Sequence, residues 1–250
     1  MEAAGHSPSR KSHSGDVSQT HHPQPVRILL KTHRPFSRAF TILEILVVIA
    51  IIAVLAMLAV PLAIRVMAQG RSAKCVNHLR QLGIAVLRYA GENEMTLPVT
   101  THQRRSGYKS WALTLQQYAG GTITFRCPCD EDALRPYTYA INDFFTPNPA
   151  GAPELNFSRL SGIPRPSESI LFAEASKDYA YTDHFHFTDY VGATMPPEIF
   201  ADQVAVERHL GGANYLFADA HVETLSWERV QALLSASGSR FVDPTAEPMP

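Results

Sequence analysis

The sequence predicts an α+β fold: a long N-terminal helix, membrane-spanning in its first half, packed on a small C-terminal domain of mainly antiparallel β structure. Three observations predict it. Ile45 to Ile64 form an uninterrupted uncharged apolar run, and at about 1.5 Å per helical residue such a run covers the roughly 30 Å hydrocarbon core of a bilayer. Apolar residues then recur three or four positions apart to about Gly91, so the helical pattern outlasts the apolar run. Beyond it, short alternating or apolar runs between breaker clusters read as strands.

The elements follow in chain order. Residues 1–39 are rich in Ser, His and Pro and carry six basic and two acidic side chains, against sixteen and twenty-one in the rest of the chain. With no apolar periodicity before Val26-Arg27-Ile28-Leu29-Leu30, they read as a disordered leader. The run from Ile45 to Ile64 is longer than the apolar core of a cleavable secretory signal and has no Ala-x-Ala triplet for signal peptidase. Arg34 and Arg38 precede it and Arg65, Arg71 and Lys74 follow it, so flanking charge alone does not orient it. The helix is predicted from Phe40 to about Gly91. Its second half carries an apolar stripe of Val76, Leu79, Leu82 or Gly83, Val86, and Tyr89 or Ala90, with Lys74, Asn77, Arg80, Gln81 and Arg88 for the wet side.

Trp111, Leu115 and Tyr118, followed by Gly120-Gly121, predict a short helix with a glycine cap. Thr122-Ile123-Thr124-Phe125 and Ser169-Ile170-Leu171-Phe172-Ala173 predict strands. The segments 213–218 and 221–225 predict a hairpin around Asp219-Ala220, for which a type I turn suffices, with Leu216 inward and Tyr215 and Phe217 on the other face, either under a second layer or, where exposed, as a subunit contact. Residues 235–250 read as a tail. The chain therefore divides into 1–39, 40–92, 93–234 and 235–250.

Composition excludes several functions. The formal charge is −1 and no basic run spans a face able to neutralise many phosphates, so nucleic acid is not an expected partner. Common phosphate-loop, dinucleotide, metalloprotease and nucleophile-elbow motifs are missing, and no Ser-His-Asp or paired-carboxylate constellation is legible. No enzyme activity and no cofactor are expected. Three cysteines are too few for a disulfide scaffold, and Cys127 and Cys129 are too close to match the four-ligand spacing of structural zinc.

Glu44, at the start of the apolar run, is its one ionisable group, and a carboxylate at mid-membrane costs about 2.5 to 3.5 kcal/mol, so it asks for a partner. Arg38-Ala39-Phe40-Thr41-Ile42-Leu43-Glu44, followed by the apolar run, resembles the N-terminal signal of type IV prepilins and type II secretion pseudopilins. The resemblance implies that prepilin peptidase cuts on the cytoplasmic side between Ala39 and Phe40 and methylates the amine of Phe40. It departs from the family in Ala39, where Gly is usual, and in the order Ile42-Leu43. Glu44 then becomes fifth in the mature chain, where the family has its glutamate, and Pro61 falls where many pilins carry a helix-kinking proline. The implied role of Glu44 is to pair with the amine of Phe40 of another subunit during assembly, two charges that are each costly alone in lipid. Ala50, Ala53, Ala56 and Ala59 form a strip that lets helices approach closely, or are the ordinary composition of an apolar helix.

The similarity extends further. Residues 73–83 with Tyr89-Ala90, Pro166-Ser167-Glu168, and the span from His209 to Asp219-Ala220 are similar to bacterial prepilin-like proteins with a C-terminal H-x9-D-G motif, Ala220 replacing Gly. A structural hydrogen bond between His209 and Asp219, or between His209 and Asn214, is the expected role of that motif. Export places the cysteines in an oxidising compartment, where Cys75 and Cys127 are expected to pair; a Cys127 to Cys129 bridge and three free thiols are the alternatives. Asp183, His184, His186, Asp189, His209, Asp219 and His221 offer an alternative zinc set, and Asp130, Glu131, Asp132 and Asp143 an alternative calcium set, but neither has a metal-specific spacing and no metal is expected. The function these readings imply is a structural subunit, processed by prepilin peptidase, anchored by one span in the inner membrane with its C-terminal domain outside the cytoplasm, and assembled with other subunits into a type IV pilus or a type II secretion pseudopilus. The alternative is a single-pass anchored domain that binds a ligand or metal and never assembles.

Overall fold

A computed structural model describes residues 39–101, 110–120, 125–132, 134–147, 155–179, 183–192 and 194–247. The fold is α+β, with one long helix, α1 (Ile42–Glu92), and a five-stranded sheet. The remaining elements are α2 (Trp111–Leu115), β1 (Tyr139–Asn142), β2 (Ile170–Glu174), β3 (His184–Phe185), α3 (Pro197–Gln203), β4 (Ala213–Phe217), β5 (Val222–Leu225) and α4 (Trp227–Ser235). Two compact units are resolved, residues 1–50 and 51–250. In the first, the described residues are Ala39 to Thr41 and the start of α1, and all are exposed.

In the second unit the sheet order is β3-β1-β2-β4-β5, antiparallel except that β1 and β3 run parallel. Each face of the sheet carries its own core. On one face lie Cys75, Leu79, Leu82, Ala85 and Val86 of α1, with Trp111, Tyr139, Ile141, Phe172 and Leu216. The buried residues of α1 follow the predicted stripe, except that Cys75 and Ala85 are also fully buried while Val76 is only half-buried. Gly83 sits where α1 meets the hairpin: a Cβ there would lie 3.0 Å from Leu216 Cδ1 and 3.1 Å from Ala220 Cβ. Trp111 anchors the same core, donating its indole N–H to the Asp183 carbonyl at 2.6 Å and meeting Phe125, Tyr137 and Phe172 edge-on.

The opposite face holds Phe144, Phe185, Phe187, Phe200, Tyr215, Phe217 and Phe241, covered by α3 and α4. Strand alternation assigns each residue to a face: along β4, Ala213, Tyr215 and Phe217 go one way and Leu216 the other. In β2 the alternation breaks, with Leu171 and Phe172 on the same face, because the β2 to β4 register shifts between Ile170 and Phe172.

Several expectations are corrected. Of the two alternatives for Tyr215 and Phe217, the second layer is the one found: both are buried, and the subunit contact favoured for an exposed part has no exposed aromatic face to use. Phe241 and Val242, expected in a tail, are buried too, and Asn142 Nδ2 donates to the Val242 carbonyl at 2.8 Å; a lone Phe-Val pair in a Ser- and Pro-rich stretch has no periodicity to reveal it. α2 ends at Leu115 and the chain continues in turns to Gly120, which takes φ 67°. The hairpin turn is not type I, since Ala220 adopts φ 70°, the left-handed region that a glycine would occupy without strain. The leader up to residue 38, Gly121 and Thr122 to Thr124 lie outside the described residues.

Candidate functional site

Two sites follow, one in each unit. Ala39 and Phe40 precede α1 in non-helical conformation, and the Phe40 side chain is 78% exposed. Thr41-Ile42-Leu43-Glu44 is a capping box. The Glu44 carboxylate accepts hydrogen bonds from the Thr41 amide and the Thr41 hydroxyl, both at 2.9 Å, while the Glu44 amide donates to Thr41 Oγ1 at 3.2 Å. These bonds satisfy orphan donors at the helix start and hold the carboxylate on Thr41, the second residue after the expected cut.

From Ile45 to Ile64 every residue is exposed within the chain. This is the one helix among the described residues that is long and apolar enough to cross a membrane. An apolar surface of that length needs lipid or other helices to cover it. Pro61 lies inside α1, where its ring removes one main-chain hydrogen bond.

The second site is a sulfur cluster. Cys75 from α1 and Cys127 from the loop before β1 are joined by a disulfide with Cα atoms 5.2 Å apart, and Cys129 is a free, half-buried thiol. His209, from the turn before β4, brings its Nε2 to 3.7 Å from Cys127 Sγ and 2.7 Å from Glu174 Oε1. The three sulfurs and a ring nitrogen of His209 all lie within 4.8 Å of one another. The Cys127 amide donates to Thr138 Oγ1 at 2.7 Å, and the Cys129 amide points at Cys127 Sγ at 3.3 Å, so the Cys-Pro-Cys turn is fixed from both sides.

Charge is concentrated around the sulfurs. Glu174 is fully buried, with Arg208 Nε 3.6 Å from its Oε2; Arg208 and Arg135 in turn reach Asp130 Oδ2 at 3.1 and 3.2 Å. Burial pushes the Cys129 thiol up and the Glu174 charge adds to that, while Arg71 and Arg208 oppose it. Burial, reinforced by Glu174, also raises the Tyr139 hydroxyl well above its usual range.

His209 does not engage Asp219 or Asn214. Its partners are Glu174 and Cys127, while Asp219 accepts from the His221 amide at 3.1 Å and lies 2.5 Å from His221 Nδ1; Asn214 Oδ1 accepts from Thr224 at 2.6 Å. The physical reason is strand direction: His209 precedes β4 and faces β2, whereas Asp219 closes the far end of the hairpin. The alternative zinc set is likewise dispersed. His184 holds Asp183 at 2.6 Å and His186 at 3.1 Å, and Asp183 also accepts from Thr101 and Ser110. The alternative calcium set splits: Asp130 faces Arg135 and Arg208, and Asp143 accepts from Phe187 and Thr188. Among the described residues, Cys75, Cys127, Cys129 and His209 are the one set of three or more such groups close enough to share a metal ion. Spacing arguments overlook it because its members come from three separate segments.

Residues 34–60 match the prokaryotic N-terminal methylation motif. The match covers the segment with Ala39, Phe40, Glu44 and the first part of the apolar run, and supports a type IV pilin-like protein processed by prepilin peptidase. With the single apolar helix it is consistent with an inner-membrane anchor. No curated protein and no solved structure matches the chain.

Proposed function

We propose that the chain is a prepilin-like structural subunit, not an enzyme, that prepilin peptidase cuts between Ala39 and Phe40 and methylates at Phe40, and that then assembles with other subunits into a type IV pilus or a type II secretion pseudopilus. The observation that carries this reading is the methylation motif over residues 34–60, continuing into a helix whose apolar residues from Ile45 to Ile64 are not buried against any described residue. Glu44 is the assembly residue: its carboxylate sits one turn from the new amine of Phe40 and pairs with the amine of a neighbouring subunit. Pro61 bends or loosens α1 for packing in the filament. The globular domain, residues 93–234 with the segment to Val242 packed on it, lies on the far side of the inner membrane from the leader.

Mass spectrometry of the mature N-terminus tests this. The expected species begins at Phe40 with one added methyl group on its amine. A membrane-extracted chain that keeps its leader in cells with active prepilin peptidase rejects the proposal, and Ala39→Asp should block the cut while leaving membrane insertion intact.

A further inference from the structure

We propose that Cys75, Cys127, Cys129 and His209 form a closed zinc site in the reduced chain, an alternative to the Cys75 to Cys127 disulfide. Three thiolates and one imidazole are a tetrahedral zinc ligand set, and their softness selects zinc over the hard cations that prefer oxygen. The ligand atoms are already gathered within 4.8 Å of one another, and His209 Nε2 stands 3.7 Å from Cys127 Sγ. Zinc bonds of about 2.3 Å to sulfur and 2.0 Å to nitrogen put neighbouring ligands about 3.5 to 3.8 Å apart, so the shell needs small adjustments once the sulfurs separate.

The surroundings suit a bound cation. The disulfide ties only two of the four groups, and leaves Cys129 as a free thiol beside it. The Cys129 amide aimed at Cys127 Sγ is a donor suited to a metal-bound thiolate. A zinc ion with three thiolates carries one net negative charge; at Cys129 burial and the charge of Glu174 oppose the thiolate, Arg71 and Arg208 offset them in part, and the zinc ion itself supplies the rest of the positive charge. On binding, Nε2 gives up its contact with Glu174 to the metal, and Glu174 keeps Arg208 as its counter-charge. The ligands fasten α1, the irregular loop before β1 and the turn before β4 to one another, which is the task of a structural zinc centre.

The chemistry balances without an oxidant. A phosphine reductant and one water convert the disulfide to two thiols and the phosphine to its oxide. Zinc then displaces three thiol protons, and His209 binds through its neutral lone pair.

The test uses the full chain in detergent, reduced with a phosphine under argon, dialysed against zinc chloride and then against a weak chelator. Metal is counted by plasma mass spectrometry, and cobalt substitution reports thiolate charge transfer and tetrahedral geometry. The expected result is one zinc per reduced chain, none in the oxidised chain, and a cobalt spectrum of a thiolate-rich tetrahedral site. Cys129→Ser keeps both disulfide partners, so its fold is checked in the oxidised form; reduced, it should lose at least about tenfold in zinc affinity, as should His209→Ala. Equal zinc in reduced and oxidised chains, zinc retained by Cys129→Ser, or no zinc on the reduced chain whose circular dichroism remains native each overturns the proposal. A reduced chain that loses its fold and still takes no zinc overturns it as well. None of these readouts involves processing or assembly, so their failure leaves the pilus reading untouched.

Discussion

Glu44 and Thr41 bond to each other in both directions at the start of α1, the carboxylate accepting the Thr41 amide and hydroxyl at 2.9 Å and the Glu44 amide returning a bond to Thr41 Oγ1. The glutamate proposed to pair between subunits therefore already has an intrachain occupation. Its carboxylate has further acceptor capacity, so capping and intermolecular pairing are compatible. They are also separable by substitution.

Glu44→Gln keeps an acceptor for Thr41 and removes the charge; Thr41→Ala keeps the charge and the backbone amide bond to it but removes both hydroxyl bonds of the cap, at about 1 kcal/mol of helix-end stability. If charge pairing with Phe40 drives assembly, Glu44→Gln and Glu44→Ala should both cut filament or crosslinked-oligomer yield severely while processing continues. Thr41→Ala should assemble at near the normal level. Equal yields from Glu44→Gln and the natural chain would remove the pairing argument, while no filament or oligomer from the natural chain itself would favour a non-assembling anchored domain.

The hairpin gives a prediction of opposite signs at its two ends, a glycine at the open end and an alanine in the turn. Gly212 takes φ 141°, and a Cβ there would lie only 2.9 Å from Ser226 Cα and closer still to the Leu225 carbonyl. Gly212→Ala should destabilise by more than about 3 kcal/mol, since backbone must move. Ala220, at φ 70°, stands in a conformation that costs a non-glycine residue about 1 kcal/mol. Ala220→Gly should therefore stabilise by up to about 1 kcal/mol, less whatever its half-buried methyl contributes against Gly83. Chemical denaturation of the detergent-solubilised chain measures both, and a destabilised Ala220→Gly would show that the methyl contact outweighs the strain.

What the sequence made legible depended on periodicity. The uncharged run and the stripe through Leu79, Leu82 and Val86 revealed α1 because a helix buries every third or fourth residue, and β2 and the hairpin stood out between breakers. β1, β3, α3 and α4 are too short or too mixed for that signal. Phe241 is buried by tertiary context alone. At the sulfur cluster, the sequence offers Asp219 or Asn214 as the partner of His209 because both are close along the chain, whereas Glu174 is reached only once β2 lies beside β4. The Cys-Pro-Cys turn looked unlike a zinc site for the same reason, its other ligands being supplied by α1 and by the turn before β4.

The disulfide gives a third prediction. Cys75 and Cys127 are 52 residues apart, and closing a loop of that size stabilises by about 4 kcal/mol on the chain-entropy account. Cys127→Ser should lower unfolding free energy by that order under oxidising conditions, whereas Cys129→Ser should change it by less than about 1 kcal/mol. Non-reduced peptide mapping of the natural chain should recover Cys75 and Cys127 in one linked pair. Cys75 alkylated as a free thiol in the exported chain would reject the pairing.

The last prediction concerns Asp143, a fully buried carboxyl whose Oδ1 accepts from the Phe187 and Thr188 amides at 3.0 and 3.3 Å and whose Oδ2 accepts from Thr188 Oγ1 at 2.8 Å. Burial raises its pKa from 3.8 to about 6, against the opposing pull of these hydrogen bonds and of His184. The folded state therefore holds the proton more tightly than the unfolded chain. Its ionisation weakens the fold as pH rises from about 4 through about 6, by on the order of 3 kcal/mol once complete. Asp183 runs the other way: hydrogen bonding and the charge of His184 outweigh burial and hold it below its usual range, so its contribution is lost at acid pH. Comparing the natural chain with Asp143→Asn cancels Asp183 and isolates Asp143. The amide keeps an oxygen for the two backbone donors and cannot ionise, so Asp143→Asn should gain on the natural chain at pH 8 relative to pH 4.5, by a few kcal/mol in urea unfolding. A stability difference between the two proteins that stays constant across that range would mean that Asp143 does not titrate near 6 in the folded domain.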